Sequence, residues 1–211
     1  MKRESKYTMP FYITMHPFSG FEDLKYRKLA SLGVSVIWFL AFAMLNVFEL
    51  QFMGKQFRIV EQSEINLPLS LLSAFVIVFI WTLSNWCFCV LIEGKATFKK
   101  IWIISVYSLV PYTLAGYVNI ILGLVLTQEE GVFRSFITVI GFLWSFIMII
   151  AAFVNFHEFE FSKAVLSIIL TVIGMVVIAV LIFLVYSLFQ QLISNIMVLI
   201  NEIIFRIRLA G

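Results

Sequence analysis

Long apolar blocks separated by short polar pieces dominate the pattern of this chain. Five blocks contain no Asp, Glu, Lys or Arg, and they span residues 29–48, 67–92, 101–127, 135–156 and 164–190. Each block can cross a hydrocarbon layer of about 30 Å as a helix, which takes about 20 residues. Lipid offers a backbone no hydrogen-bond partner, so such blocks are expected to be helical. The pattern predicts an all-α, polytopic membrane bundle of about five transmembrane helices.

A polar segment, residues 1–28, precedes the bundle of residues 29–190. Within it Phe18, Phe21, Leu24 and Lys28 recur at a spacing of three or four residues, starting near Ser19-Gly20. Charged residues fill much of the remainder, which favours a short amphipathic helix lying at the membrane surface. The alternative is a polar lead-in to the first span.

The segment after the bundle, residues 191–211, is also amphipathic. At 100° per residue its polar side chains fall in one sector, and they include Asn195, Glu202 and Arg206. Isoleucines occupy much of the opposite side. This pattern predicts either a helix lying flat at the interface, or an extension of the fifth helix that docks its polar side on a partner.

The composition agrees with a membrane protein. The chain has 62% hydrophobic and only 13% charged residues, whereas a soluble domain is about half apolar and a quarter charged. The single core of a 211-residue chain cannot bury this excess of hydrophobic residues.

The distribution of Lys and Arg predicts the orientation. Ten of them lie in the first, third and fifth polar pieces, and five lie in the other three. Positive residues favour the cytoplasm, so the N-terminus is predicted to be cytoplasmic and the C-terminus extracellular, in the cell membrane.

Residues suited to catalysis or metal binding are few. Cys87 and Cys89 point to different sides of one helix and are interpreted as apolar fillers. His157, with Glu158 and Glu160, is interpreted as part of a solvated loop, and a zinc site with His16 is disfavoured. Neither a Walker motif nor a dinucleotide motif is present. We therefore expect no enzyme activity, no cofactor, no metal and no nucleic-acid partner.

Neutral polar residues occur inside the predicted spans, although charged ones do not. Hydrogen bonding between helices is the expected role of these side chains: Asn46, Thr82, Ser84, Asn85, Ser105, Ser108, Thr113, Asn119 and Asn155. A pathway for a neutral solute can use the same groups. Pro111 is expected to bend the third helix.

Several motifs in order resemble the bacterial branch of the Yip family, over residues 15–190. They are His16-Pro17-Phe18 with Gly20-Phe21, Asp23 and Lys25; Asn85-Trp86 before Glu93-Gly94-Lys95-Ala96-Thr97; and Ser108-Leu109-Val110-Pro111-Tyr112. The resemblance implies five helices, a cytoplasmic N-terminus and no catalysis.

The resemblance also bears on partners. Eukaryotic relatives engage small GTPases, but their Asp-Leu-Tyr-Gly-Pro signature is missing here, so no small GTPase is expected. Bacterial relatives often resemble accessory subunits of carbohydrate ABC importers.

Together these patterns favour a non-enzymatic accessory subunit that binds membrane lipids and another integral membrane protein. The resemblance implies that this protein is the permease of a carbohydrate ABC importer. The alternatives are a conduit for a neutral solute and a lipid-organising protein. The residues predicted to contact the partner are Phe18, Phe21, Gly94, Lys95, Asn195, Glu202 and Arg206.

Overall fold

The computed structural model describes residues 5–52, 66–92, 94–127 and 129–210, except for the side chains of residues 203, 204 and 206–210. Sequence predictions that involve Lys2, Arg3, Lys55, Arg58, Glu93 or the side chains of Arg206 and Arg208 therefore lie outside the described part.

The described residues form eight α-helices and no strand, which confirms the all-α class. In chain order they are α1 (Met9–Met15), α2 (Pro17–Tyr26), α3 (Leu32–Phe52), α4 (Leu67–Leu91), α5 (Phe98–Ser108), α6 (Val110–Val125), α7 (Gly131–His157) and α8 (Phe161–Ala210).

Five helical stretches are long and apolar enough to cross a membrane, which confirms the predicted spans. They are Leu32–Phe52, Leu67–Leu91, Phe98–Val125, Gly131–His157 and Phe161–Glu202. Some extend beyond the charge-free blocks. For example, α7 begins at Gly131 although Arg134 lies near its start, because a charge is tolerated where a helix end can reach the interface.

The third span is interrupted at Leu109, between α5 and α6. Pro111 is the second residue of α6. The first N–H groups of a helix have no acceptor within the helix, so the missing N–H of Pro111 costs little stability there. The backbone N–H of Tyr112 donates to Ser145 Oγ on α7 at 3.1 Å, and Thr113 Oγ1 donates to the Leu109 carbonyl at 2.9 Å. The helix is interrupted beside Pro111, where a bend was predicted, and the Ser145 hydroxyl accepts from the Tyr112 N–H next to the break.

Successive spans alternate in direction, which gathers several short segments at one end of the bundle. We call this end the basal face, and it comprises the end of α2, residues 94–97 and residues 158–160. Along the bundle α6 packs on α7, α8 packs mainly on α4, and α3 packs on α4, α5 and α6. The largest buried cluster lies towards the basal face and joins α1 and α2 to α5 and α7.

Polar side chains link neighbouring spans, as predicted for several of them. Ser84 Oγ donates to the Thr171 carbonyl at 2.6 Å, Asn85 Nδ2 to Thr171 Oγ1 at 2.9 Å, Trp81 Nε1 to Ser105 Oγ at 3.1 Å, and Asn119 Nδ2 to Thr138 Oγ1 at 2.6 Å. By contrast, Thr82, Ser108 and Thr113 each donate to a carbonyl four residues earlier in the chain. Thr171 thus fixes α8 against α4.

The N-terminal segment contains two helices where one was predicted. The predicted amphipathic helix corresponds to α2, which starts at Pro17, and α1 precedes it. The buried residues of both helices belong to the core cluster of the bundle. The segment therefore packs into the bundle and is more than a polar lead-in.

The C-terminal segment prolongs the fifth span. The helix α8 is continuous over 50 residues, which corresponds to about 75 Å at 1.5 Å per residue. Of the two predicted arrangements, the backbone follows the extension of the fifth helix.

Candidate functional site

A tight turn after α4 brings Gly94 against α7 at the basal face. The Gly94 N–H donates to the Cys89 carbonyl at 2.7 Å, which folds the chain back over the end of α4. A Cβ added to Gly94 would lie 2.7 Å from His157 Nδ1 and 2.9 Å from Cys89 Cβ. Glycine is required at this position because any side chain would overlap both residues.

His157, the last residue of α7, is buried and only 1% exposed. Its ring stacks on Phe159 with centroids 5.1 Å apart, and it meets Phe153 edge-on at 5.3 Å. The interpretation of His157 as part of a solvated loop is therefore wrong, because these two aromatic rings and the Gly94 turn cover it.

Cys89 takes part in a polar cluster between α4, α7 and α8. Its Sγ lies 3.4 Å from His157 Nε2, 3.5 Å from Asn85 Oδ1 and 3.7 Å from Ser167 Oγ. The interpretation as an apolar filler is therefore wrong for Cys89. Cys87 is exposed, as expected for two cysteines on different sides of one helix.

Glu158 joins three segments at the basal face. It directly follows α7 and has a left-handed backbone, with φ of 59°. Its carboxylate accepts hydrogen bonds from Lys25 Nζ of α2, at 2.7 Å, and from Lys95 Nζ beside the Gly94 turn. Lys25 Nζ also donates to the Asn155 carbonyl at 2.8 Å. One carboxylate thus ties the N-terminal segment and the α4–α5 turn to the end of α7.

These two lysines also change the titration of the carboxyl group. The hydrogen bond from Lys25, followed by the one from Lys95, lowers the pKa of Glu158 to about 2. The hydrogen bond to Glu158 in turn raises the pKa of Lys95. The ion pairs are therefore complete at neutral pH.

We expect Glu158→Gln to reduce stability in a way that depends on pH. The lowered pKa means that the carboxylate stabilises the folded state above its ordinary pKa of 4.5, and this contribution disappears as the pH falls towards 2. Thermal unfolding in detergent should show a wild-type advantage over Glu158→Gln at pH 7 that shrinks below pH 4.5. Glu160→Gln, at an exposed carboxylate, is the matched control. An equal difference at every pH would contradict this role of Glu158.

The N-terminal residues predicted to contact a partner occupy different environments. Phe21 is fully buried, with its ring edge-on to Phe156 at 6.4 Å, whereas Phe18 is 51% exposed. The Phe18 carbonyl accepts a hydrogen bond from Asn155 Nδ2 at 3.2 Å. Of the two side chains, Phe18 is available at the surface and Phe21 packs the N-terminal segment onto α7.

The remaining predicted contact residues fall into two groups. Lys95 is exposed at the basal face beside Gly94, whereas Asn195 and Glu202 are exposed on α8. The helical path from Phe161 to Asn195 is about 50 Å. The side chain of Arg206 lies outside the described residues. The structure thus brings Phe18, Phe21, Gly94 and Lys95 to one end and places Asn195 and Glu202 far from them.

Two cavities flank the helix break at Leu109, with volumes of about 150 and 250 Å³. Both are bordered by Phe42, Leu109 and Ile149, and their walls are almost entirely apolar. Of the hydroxyl-bearing residues at the walls, Ser105 and Ser145 already accept the hydrogen bonds described above, and Tyr112 borders the larger cavity. Cavities of this kind suit hydrocarbon better than a polar solute. Within the described residues, no group of three or more His, Cys, Asp or Glu side chains could hold a metal ion.

Sequence reasoning did not identify the cluster of Cys89, His157, Glu158 and Lys25. The available signal was the acidic run of Glu158 and Glu160 directly after a span. The contacts join residues that are 68 and 133 positions apart, so sequence spacing does not show them.

A model of the Yip1 domain family matches residues 11–184 of the chain. The matched range includes the basal face and the five spans up to Leu184, whereas the rest of α8 lies outside it. No curated protein and no solved structure gives a significant match.

Proposed function

The chain belongs to the Yip1 domain family of membrane proteins, which is not known as a family of enzymes, and from that premise we propose a non-enzymatic accessory subunit. The proposed subunit binds another integral membrane protein side by side and supplies no chemistry of its own.

The observation that carries this proposal is the exposed second half of α8. Every residue from Ala179 to Glu202 is exposed, whereas the first half of α8 packs on α4 and α7. A helix of about 75 Å is more than twice as long as the bilayer core of about 30 Å requires. This excess of helix, beyond the range matched by the family, is the surface that we assign to a partner.

The chemistry of this surface suits a protein better than lipid alone. An apolar stretch from Leu181 to Phe189 leads into Gln190, Gln191, Ser194 and Asn195. Amide side chains promote association of membrane helices because they find hydrogen-bond partners on a neighbouring helix. At the basal face, exposed Lys95 supplies a second proposed contact beside the Gly94 turn.

We propose the permease of a carbohydrate ABC importer as this partner, in the cell membrane. The support is the resemblance of the N-terminal, Gly94 and Pro111 motifs to the bacterial branch of the family. The excess of Lys and Arg on one side supports a cytoplasmic basal face and an extracellular C-terminus. The apolar walls of the two cavities favour this function over a conduit for a neutral solute.

Affinity purification in mild detergent, with quantitative mass spectrometry, tests the proposal. We expect the full chain to recover permease and ATPase subunits in stoichiometric amounts. Deletion of residues 195–211 should lower their recovery about tenfold or more, which corresponds to a loss of at least about 1.4 kcal/mol in binding. The control is Phe136→Ala, which removes an exposed apolar side chain from α7, away from the α8 extension.

The outcomes separate the parts of the proposal. Full recovery by the truncated chain would remove the α8 extension from the interface. Recovery of an unrelated membrane protein would overturn the permease assignment and leave the accessory role. Recovery of the chain alone, where a known transporter stays intact, would overturn the accessory role.

A further inference from the structure

A stretch without Asp, Glu, Lys or Arg extends from Tyr7 to Phe21, between Lys6 and Glu22. This stretch is too short to span a bilayer but is long enough to enter it and return. It comprises α1, the joint at His16 and the first half of α2. Lys25, in the second half of α2, in contrast lies at the basal face, where it pairs with Glu158.

Contacts with α7 show how far this stretch reaches along the bundle. Trp144 Nε1 donates to the Thr14 carbonyl at 2.8 Å. Trp144 is at the midpoint of α7, about 20 Å from the basal end at His157. An indole side chain covers only part of this distance, so the end of α1 lies well inside the bundle.

Contacts with the other spans also place α1 inside the bundle. The helix α1 contacts α6. Since α6 begins at Val110, its start lies about 18 Å along the helix axis from Phe98 at the basal end. The ring of Phe11 also lies 5.3 Å from Trp38, in the second turn of α3. Thus α1 lies beside the second turn of α3 and reaches α6, beyond the helix break at Leu109.

The helix α2 returns the chain to the basal face. Its Lys25 pairs with Glu158, directly after α7. The two helices are in close contact, as a Cβ added to Gly20 would lie only 2.8 Å from the Ile13 Cα. The inner side chains of this hairpin, Met9, Ile13, Phe21 and Leu24, are fully buried.

The backbone between the two helices has protein partners, as an apolar surrounding requires. The N–H of His16 donates to the Tyr12 carbonyl at 2.9 Å, and the His16 carbonyl accepts from the Gly20 N–H at 2.7 Å. The carbonyl groups of Thr14 and Phe18 accept the side-chain hydrogen bonds from Trp144 and Asn155 described above.

We infer that α1 and α2 form a re-entrant hairpin that enters the bilayer from the basal face and presents its outer side to the acyl chains of that leaflet. The outer side chains are Phe11, Met15 and Phe18, all exposed and apolar. Lys25, Arg27 and Lys28 follow at the return to the surface, where basic side chains meet lipid headgroups.

Thiol labelling of the full chain in lipid nanodiscs tests this inference, because both membrane faces are then open to water. The two single variants Met15→Cys and Tyr26→Cys are made in a Cys87→Ser background, which retains only the buried Cys89. Labelling of this background alone is subtracted from the labelling of each variant. Met15 is 75% exposed and Tyr26 is 71% exposed, so the protein shields both positions equally. A membrane-impermeant maleimide should label Met15→Cys at least about tenfold more slowly than Tyr26→Cys, because the reactive thiolate forms only in water.

Equal labelling in SDS is the control for intact thiols. Equal rates in nanodiscs would overturn the inference, since the hairpin and the basal part of the bundle would then stand in water. Slow labelling of both positions would also overturn it, because α2 would not return to the surface. Phe18→Cys replaces Met15→Cys if the latter fails to assemble.

Discussion

Replacing Gly94 with alanine should destabilise the protein by about 2 kcal/mol, in the range of an overpacked core site. The new methyl group would lie 2.7 Å from His157 Nδ1, 2.9 Å from Cys89 Cβ and 3.0 Å from the Cys89 carbonyl oxygen. The His157 ring cannot move aside easily, since Phe153, Phe159 and Cys89 hold it. Thermal unfolding in detergent, with scans at matched protein concentration, measures the loss.

Gly33→Ala is the matched control for this substitution. An added Cβ there meets only Ser31 Oγ, at 3.9 Å, so the change should be neutral or stabilise α3 by up to about 1 kcal/mol. In a His157→Ala background Gly94→Ala should cost less, because the two residues are in contact. Additive losses would show that the contact with His157 is not the cause.

Replacing Gly141 with alanine should cost about 2 kcal/mol by forcing α6 away from α7. An added Cβ would lie 2.5 Å from Ala115 Cβ, which cannot rotate away. The next neighbours, the Pro111 carbonyl oxygen and Tyr112 Cα, are at an ordinary 3.4 Å. The thermal midpoint and the monodisperse fraction in detergent should both fall, whereas Gly33→Ala should change neither by much.

The reciprocal change Ala115→Gly provides the decisive control for Gly141. It removes the atom that clashes, so the double variant should be more stable than the sum of the two single losses predicts. The gain in helix propensity from Gly141→Ala offsets the loss from Ala115→Gly, each about 1 kcal/mol, so the double variant should lie close to the wild type. A double variant no better than additive would mean that the backbone contacts set the limit.

The spans were predictable from the sequence because lipid imposes one simple requirement. A backbone that crosses hydrocarbon must be helical and must carry about 20 apolar residues, and both properties are local. The helix ends differ from the charge-free blocks, since α3 continues past Glu49 to Phe52. A helix ends where its hydrogen bonding stops, and a charge near the interface does not stop it. The break near Pro111 was also predictable, because it depends on the missing N–H of a single residue.

The candidate site was only partly predictable. Gly94 and Lys95 were identified, but the sequence placed His157 in solvent and interpreted Cys89 as a filler. Their environment depends on Phe153 and Phe159 and on a turn from another part of the chain. In the N-terminal segment the periodicity identified the apolar side of α2, but it did not show that α7 covers Phe21.

The sequence by itself determined the number of spans, the all-α class, the interruption near Pro111 and the apolar side of α2. These properties follow from local hydrophobicity and backbone chemistry. The tertiary structure alone decided which groups meet: Glu158 with Lys25 and Lys95, and Cys89 with His157. It also decided that α1 and α2 pack against α7 and that half of α8 is exposed. These outcomes depend on packing between distant segments, which one-dimensional periodicity does not encode.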